Sequence, residues 1–380
     1  MWHNTCIFNI NSHMGLMQNS LGCGYVAGAN LLSLSCLVPR LSRGVANAPP
    51  YTTAAAVTAG VLGSAYCAYH IYQRSKPRIP TEWTQVGTLQ KIYTYPIKSC
   101  GPVVLETGEC STLGLKDGWL RDRVLMVIDE KDNFITARAY PEMLLVSPCV
   151  RSSVLTLTHK HDKQIPPVHV NLAEVIALQK PIEAKVWAVP VPVFDCGKEV
   201  SEWFNNLLGR PSSTFRLVYY ATQQPRLLRS STNRIYKFTK NDTGALPDET
   251  PFNLINEASV DDLNTRLQLT DRVSHRSFRP NFILQGALPY AEDNWKFLKI
   301  GNVVFEILKP CTRCVLTTID PETGVRNPNT EPLETLKSYR QIEDPEVRRS
   351  AGNSPRMGLQ LTLRSAPGQW VTLDDPIYVA

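Results

Sequence analysis

Two cysteines near the C-terminal end of the chain, Cys311 and Cys314, bracket the cation Arg313. Apolar and β-branched residues flank the pair, which predicts strands over 303–308 and 315–319. The pair then lies at a turn between two strands, where a thiolate is exposed and rigidly held beside a fixed positive charge. This arrangement suits a soft metal that is bound to an anionic organic cofactor.

Other uses of a cysteine pair were weighed against this metal site. A structural zinc ion needs four ligands, and the close histidine pair, His159 and His161, lies far away in the sequence. A thioredoxin-like dithiol opens a helix, whereas the residues after Cys314 are mostly β-branched and do not favour one. On spacing alone, two buried structural cysteines and a metal site stay equally open.

Five motifs occur in the order typical of the MOSC family, and within that family they resemble the mitochondrial amidoxime-reducing components. The motifs read YPIKSC at 95–100, LRDR at 120–123, FRPN at 278–281, CTRC at 311–314 and EPLETLK at 331–337. The resemblance spans about 86–379. Each motif alone is weak, but five in order over that length are specific.

The resemblance implies that the chain binds the molybdenum cofactor (Mo-molybdopterin), a pterin dithiolene that carries a phosphate. Cys314 is then the metal thiolate and the main catalytic residue, with Cys311 beside it. The residues that match cofactor-binding positions are Lys98, Ser99, Arg123, Thr250, Arg279, Asn281, Thr312, Arg313 and Gln360. Asp248 is the candidate for proton delivery. Taken singly, these residues also fit ordinary roles at the surface, in ion pairs or in turns.

Three positions depart from the family pattern. Thr312 stands where the family often has Ser, which keeps the hydroxyl. Gln360 stands where close relatives carry Tyr. Glu249 replaces a small polar residue, and its carboxylate is unfavourable near a phosphate site unless it turns outward. The details of phosphate binding are therefore the least certain part of the resemblance.

The resemblance implies a reductase of N-hydroxylated compounds such as amidoximes, hydroxylamines and N-oxides. The sequence shows no G-x-G-x-x-G or P-loop, so the electrons would come from another protein. The resemblance implies that NADH supplies them through NADH-cytochrome b5 reductase and cytochrome b5. A basic segment suits docking of an acidic carrier, although a solvated loop is the ordinary alternative: Arg226, Arg229, Arg234, Lys237 and Lys240. The alternatives are a sulfur carrier resembling the C-terminal part of molybdenum cofactor sulfurase, and a non-catalytic membrane scaffold.

Composition limits the classes of partner. The 380-residue chain carries a net charge of +6, of which residues 1–81 contribute +5, so the remainder is nearly neutral. Net charge thus gives no support to nucleic-acid binding. The ten cysteines are scattered, which favours a reducing compartment over a disulfide scaffold.

The N-terminal segment indicates a membrane anchor. Residues 54–72 contain no formal charge, and as a helix they would span roughly 28 Å, close to a bilayer core. Basic residues follow the segment at once, which places the bulk of the chain on the cytosolic side. A cleaved targeting segment and a buried helix are the alternatives. Residues 1–53 are predicted to be disordered or to serve in targeting, and the resemblance implies the mitochondrial outer membrane.

Frequent short strands with polar turns predict a mainly β fold with a few helices (α+β). A single strand is predicted over 184–193, and helices over 198–208, from Ser259 through 267, and around Leu333 to Tyr339. The resemblance implies a MOSC N-terminal β-barrel-like domain at 84–220 and a MOSC β-barrel at 221–379. The site would then lie in the cleft between the two domains.

Overall fold

The computed structural model describes residues 60–67, 69, 79–211, 214–222, 226–228 and 242–380. The chain divides into two compact units, Met1–Pro77 and Arg78–Ala380. In the first unit, 60–67 form helix α1, while 1–53 and most of the predicted anchor lie outside the described residues. No helix in the described ranges has both the length and the apolar character needed to cross a bilayer. The anchor over 54–72 therefore stays a prediction.

The second unit is mainly β, as predicted. Its strands are β1 (Thr84–Thr94), β2 (Val103–Leu105), β3 (Thr107–Ser111), β4 (Gly114–Asp117), β5 (Leu120–Arg121), β6 (Leu125–Ile128), β7 (Val146–Arg151), β8 (Val154–His159), β9 (Val168–Asn171), β10 (Ile182–Val186), β11 (Val189–Asp195), β12 (Arg216–Tyr219), β13 (Arg226–Leu227), β14 (Thr243–Gly244), β15 (Phe252–Asn256), β16 (Phe282–Gln285), β17 (Phe297–Ile300), β18 (Val303–Thr312), β19 (Arg356–Leu363), β20 (Gln369–Thr372) and β21 (Pro376–Val379). The α-helices of this unit are α2 (Leu172–Leu178), α3 (Lys198–Leu207), α4 (Glu257–Arg266), α5 (Leu333–Tyr339) and α6 (Pro345–Ala351). Short 3₁₀ helices cover Pro141–Leu145, Leu269–Asp271, His275–Phe278, Ala291–Asn294 and Val315–Thr318.

Seven strands close into a barrel in the order β1-β16-β15-β19-β18-β17-β21, and β21 pairs back onto β1. The pairs are antiparallel except for β15 with β16. Inside, Phe252, Phe282 and Phe305 are fully buried, with ring centroids 5.2–5.9 Å apart. Closure removes free strand edges and fills the interior with aromatic side chains, which gives the site a rigid support.

A second core lies under the smaller sheets of the N-terminal half. One sheet has the order β10-β11-β12-β6, and another has the order β7-β8-β9. The buried face of α3, with Val200 and Phe204, belongs to this core. Strand β1 belongs to the barrel, so the N-terminal half contributes one strand to it; the predicted domain boundary at 220/221 stays a prediction.

The strand predicted over 315–319 is wrong. Val315–Thr318 form a 3₁₀ helix that begins directly after Cys314. The hydroxyls of Thr317 and Thr318 donate to the carbonyls three residues earlier, at 2.9 and 2.8 Å. These local side-chain bonds satisfy the backbone without a strand partner, and they outweigh the β-branched propensity of the segment.

The single strand predicted over 184–193 is also wrong, because the chain reverses at Trp187 and Ala188 to form the β10–β11 hairpin. Helix α4 begins at Glu257 instead of Ser259, since the Asn256 side chain caps it. The helices predicted over 198–208 and around Leu333 are confirmed as α3 and α5.

Candidate functional site

One cavity of about 480 Å³ contains every predicted site residue. It lies between the loops of the N-terminal half and the open end of the barrel. The predicted residues in its wall are Lys98, Ser99, Arg123, Asp248, Thr250, Arg279, Asn281, Thr312, Arg313, Cys314 and Gln360. Motifs that are up to about two hundred residues apart in the sequence therefore meet at one place.

The two cysteines at the end of β18 have different surroundings. Cys314 is exposed in the cavity, whereas Cys311 is buried. The Gln360 side-chain amide donates to the Cys311 sulfur at 3.0 Å, and burial raises the pKa of this thiol. Cys314 is thus the accessible sulfur of the pair, and Cys311 is held as an inert thiol beneath it.

Gln360 on β19 contacts both Cys311 on β18 and Thr250, which precedes β15. The Thr250 hydroxyl donates to the Gln360 carbonyl oxygen, and the Thr250 backbone N–H approaches the same oxygen at 3.3 Å. With its amide on Cys311, Gln360 has both of its polar ends engaged. Gln360, which stands where close relatives carry Tyr, therefore links Thr250 to Cys311 in the cavity wall.

Arg313 is buried, and its donors are used by the protein itself. Its Nε and Nη2 donate to the Met357 carbonyl at 2.8 and 2.5 Å, and Nη1 donates to the Phe278 carbonyl at 2.8 Å. Gly358 permits this approach: its φ is 77°, and a Cβ there would lie 2.4 Å from the Leu254 carbonyl oxygen. Arg313 thus ties β18 to β19 below the cavity.

Asn281 is fully buried and forms a four-way junction. Its side-chain amide donates to the Tyr93 carbonyl and to the Asp122 carboxylate, each at 3.1 Å. Its carbonyl oxygen accepts the Asn253 backbone N–H at 3.1 Å and approaches Arg123 Nη1 at 3.3 Å. The predicted cofactor residue Asn281 therefore positions its neighbours from below.

Two arginines enclose the buried ring of Tyr95. The guanidinium carbons of Arg279 and Arg123 lie 4.2 and 4.8 Å from the ring centroid. Burial lowers the pKa of Arg279 to about 10; for Arg123 burial acts in the same direction, but the Asp122 carboxylate outweighs it and raises the pKa. Both side chains are therefore positively charged at neutral pH.

Arg279 has a donor to spare. Its Nη1 donates to the Cys100 carbonyl at 2.7 Å, whereas its buried Nη2 meets no hydrogen-bond acceptor among the described residues. The backbone of Arg279 is left-handed, with φ of 51°, a strained conformation that Pro280 follows. An unsatisfied cationic donor in a cavity wall suits an anionic partner.

Lys98, Asp248 and Trp187 form a chain of contacts. One Asp248 carboxylate oxygen accepts from Lys98 Nζ at 2.5 Å and from the Trp187 indole N–H at 2.8 Å. Burial acts to raise the pKa of Asp248, but Lys98 outweighs it and holds the pKa below its usual value. The carboxylate is ionised at neutral pH and held by two donors, and the role of Asp248 in proton delivery stays a prediction.

Three further positions discussed in the sequence analysis also lie in the cavity wall. Glu249 pairs with the buried Lys309, which neutralises the carboxylate that departs from the family pattern. Ser99 is buried with a left-handed backbone (φ of 71°), and Thr312 ends strand β18.

Sequence reasoning did not name several cavity residues as site residues, among them Arg138, Trp187, Arg226 and Asn253. None belongs to a motif, so no local signal identifies them. Arg226 had been placed in the docking segment, but its guanidinium donates to the carbonyls of Ala245 and Pro247 at 3.0 and 2.6 Å. The other four cations of that segment lie outside the described residues.

The sequence comparisons assign both parts of this chain to one known family. The MOSC N-terminal beta barrel domain matches residues 86–211, and the MOSC domain matches residues 241–378. The chain belongs to the MOSC family.

Its relatives within the family carry one name. The mouse mitochondrial amidoxime-reducing component 1 is 36% identical over 81% of this chain and 86% of its own length. The human component 1 is 37% identical over 78% and 83%, and the rat component 2 is 36% identical over 81% and 87%. A solution structure from Bordetella bronchiseptica covers 29% of this chain and 82% of its own, with 18% identity and a TM-score of 0.23.

Proposed function

We propose that the protein is a molybdenum-cofactor-dependent reductase of N-hydroxylated compounds such as amidoximes, hydroxylamines and N-oxides. One observation carries the proposal. The exposed thiol of Cys314 shares a cavity with the partly buried Arg279, whose buried Nη2 lacks a partner in the described part of the chain. A soft-metal ligand and an anion-binding donor are the two chemistries that a metal–pterin phosphate requires. The relatives' name, amidoxime-reducing component, supports the choice of reaction.

The residues of the cavity fit this cofactor. Cys314 would ligate the metal, and Arg279 with Lys98 would hold the phosphate. The buried Oδ1 of Asn253 also lacks a donor among the described residues, and it suits an N–H at the edge of a pterin ring. The cavity volume of about 480 Å³ lies in the range typical of cofactor sites.

The roles of the chain's own groups follow from their contacts. When bound, the cofactor supplies the two-electron chemistry that removes oxygen from an N–OH group. The Tyr95 ring supports the Arg279 guanidinium, and Arg123 donates to the Arg279 backbone carbonyl at 3.0 Å, which would keep Arg279 in place for the phosphate. Asp248 keeps Lys98 and Trp187 oriented through its ionised carboxylate, next to the place where the reaction needs protons.

The proposal includes the electron supply and the location. The sequence contains no flavin or nicotinamide motif of its own, so the electrons come from a separate carrier. NADH-cytochrome b5 reductase and cytochrome b5 are the proposed donors. The protein is anchored in the mitochondrial outer membrane through 54–72, with the catalytic part in the cytosol. The relatives' names support the organelle. Anchoring in the same membrane would raise the effective concentration of the electron carriers.

A reconstituted assay tests the proposal. The full chain, purified from cells that make the cofactor, is combined with cytochrome b5, its reductase, NADH and benzamidoxime. One NADH and one proton should be consumed for each benzamidine and water formed, as the N–O bond is cleaved. Cys314→Ala should abolish this turnover, whereas Cys149→Ala, which removes an exposed thiol on β7, should leave it unchanged.

The same assay separates the alternatives. Full activity of Cys314→Ala would contradict the assignment of the metal ligand. A persulfide on Cys314 without NADH-dependent turnover would favour the sulfur carrier, and protein without molybdenum or pterin would favour the scaffold.

A further inference from the structure

Trp187 occupies a costly position at the tip of the β10–β11 hairpin. The two residues of the turn, Trp187 and Ala188, both have left-handed backbones, with φ of 51° and 62°. Such two-residue turns favour Asn-Gly, and a bulky residue there is strained. The side chain returns little of this cost through burial, because 54% of it is exposed. Strain that stability does not explain is a feature of functional positions.

Specific contacts hold the indole in one orientation at the cavity. Its N–H donates to Asp248 at 2.8 Å, and Phe134 meets it edge-to-face with ring centroids 5.2 Å apart. The Arg138 guanidinium carbon lies 5.3 Å from the indole centroid. An exposed Trp that served only as hairpin surface would need none of these contacts. They pre-orient a flat, electron-rich surface in the cavity wall.

We propose that Trp187, with Phe134 and Arg138, forms a specificity subsite that stacks the planar conjugated substituent of the substrate. This inference rests on the proposed function and deepens it. The reactive N–OH end would be held near Cys314, which lies in the same cavity but on the barrel. A planar group attached to the reactive carbon, such as an aryl ring, would extend along the indole. Substrates with a small alkyl group would lack this contact.

Matched substrates and matched variants test the subsite. In the reconstituted assay, Trp187→Asn should raise the KM for benzamidoxime about 3–20-fold, the range expected for loss of one aromatic stacking contact, with little change in kcat. The KM for acetamidoxime should stay unchanged. Trp187→Phe, which keeps a ring, should restore most of the benzamidoxime KM. Trp370→Leu is the control, since Trp370 is also about half exposed but lies on β20.

The unfolding temperature separates the subsite from a purely structural role of Trp187. A structural role predicts that Trp187→Asn lowers it. Asn favours the left-handed turn, so Trp187→Asn should raise or preserve the unfolding temperature while it weakens aryl binding. A lower unfolding temperature, together with equal KM changes for both substrates, would overturn the subsite. A drop in molybdenum content would instead assign Trp187 to the cofactor, and a change in the KM for cytochrome b5 would assign it to electron-carrier docking. Either result would overturn the proposal.

A binding measurement keeps the subsite distinguishable from the proposed reaction. Titration of the holo-protein with benzamidine, the unreactive product, should show weaker binding to Trp187→Asn than to the parent chain, and no difference for acetamidine. If the parent chain reduces neither amidoxime but this difference is found, the proposed function fails and the subsite stands. If reduction is observed without the difference, the subsite fails alone.

Discussion

The two sides of the cavity are built differently. We call Asn281, Arg313 and Gln360 the barrel wall, and Lys98, Arg138 and Trp187 the hairpin wall. In the barrel wall, each of the three side chains is bonded to backbone groups or to neighbouring side chains, and all three residues are buried. In the hairpin wall, Trp187 is mostly exposed and Lys98 shares a carboxylate with it.

The difference indicates that the barrel wall positions the cofactor and the hairpin wall contacts the substrate. A network with every polar group satisfied is rigid, which suits the precise positioning of a cofactor. A wall with an exposed ring and a half-exposed ion pair can accept substrates of different shapes. Arg279 belongs to the barrel side but keeps one donor free, so it links the rigid support to the bound group. The predictions below test this contrast.

The largest effect on stability is expected in the barrel wall. Asn281→Leu would leave the Tyr93 carbonyl, the Asp122 carboxylate and the Asn253 N–H without their buried partner. The free energy of unfolding of the full chain should fall by about 3 kcal/mol, as measured by urea denaturation. Asn329→Leu, at an exposed position, should change it by less than about 0.5 kcal/mol. Equal effects of the two variants would contradict the junction role of Asn281.

Arg313 and Arg279 allow a test that separates structural support of the cavity from cofactor binding. Arg313→Met removes three bonds to carbonyls and should lower the free energy of unfolding by about 2 kcal/mol. Arg279→Met removes one such bond and a buried charge, so its effect on stability should be smaller. Molybdenum and pterin content should fall more in Arg279→Met. Parallel losses of stability and cofactor in both variants would remove the distinction between them.

A smaller effect is expected from pH on the barrel side. Burial lowers the pKa of His275 to about 4, and its Nε2 lies 2.9 Å from the Tyr93 hydroxyl. The folded protein therefore keeps this ring neutral between pH 6.5 and 4, whereas the unfolded chain takes up a proton. Stability should fall as the pH decreases through this window, by about 1–2 kcal/mol after allowance for partial solvent screening.

The matching variant isolates this contribution. His275→Gln removes the titrating group, so its loss of stability between pH 7 and 4.5 should be smaller than that of the parent chain. Thermal unfolding at the two pH values measures the difference. An identical acid sensitivity in both chains would show that other groups dominate.

The barrel side could be predicted largely from the sequence. The predicted site residues all line the cavity, and the strand before Cys311 is present as part of β18. The segment after Cys314 was misread, because β propensity does not register the local bonds that Thr317 and Thr318 make to the backbone. The contacts of Gln360 with Cys311 and Thr250 also depend on the pairing of β18 with β19, which no local sequence pattern predicts.

The hairpin side was hidden from sequence reasoning for a physical reason. The turn at Trp187 and Ala188 lacks the Asn or Gly that marks a hairpin, so 184–193 reads as one strand. The placement of Trp187 and Arg138 depends on tertiary packing against Phe134 and on the distant Asp248. The ion pair of Asp248 likewise depends on Lys98, a residue 150 positions away.

The central claim is that Cys314 ligates molybdenum in this cavity. X-ray absorption at the molybdenum edge, on holo-protein from cells that make the cofactor, measures the sulfur atoms bound to the metal. We predict one fewer sulfur ligand in Cys314→Ser than in the parent chain, and no change in Cys149→Ser. An unchanged sulfur count in Cys314→Ser, or protein without molybdenum, would contradict the account.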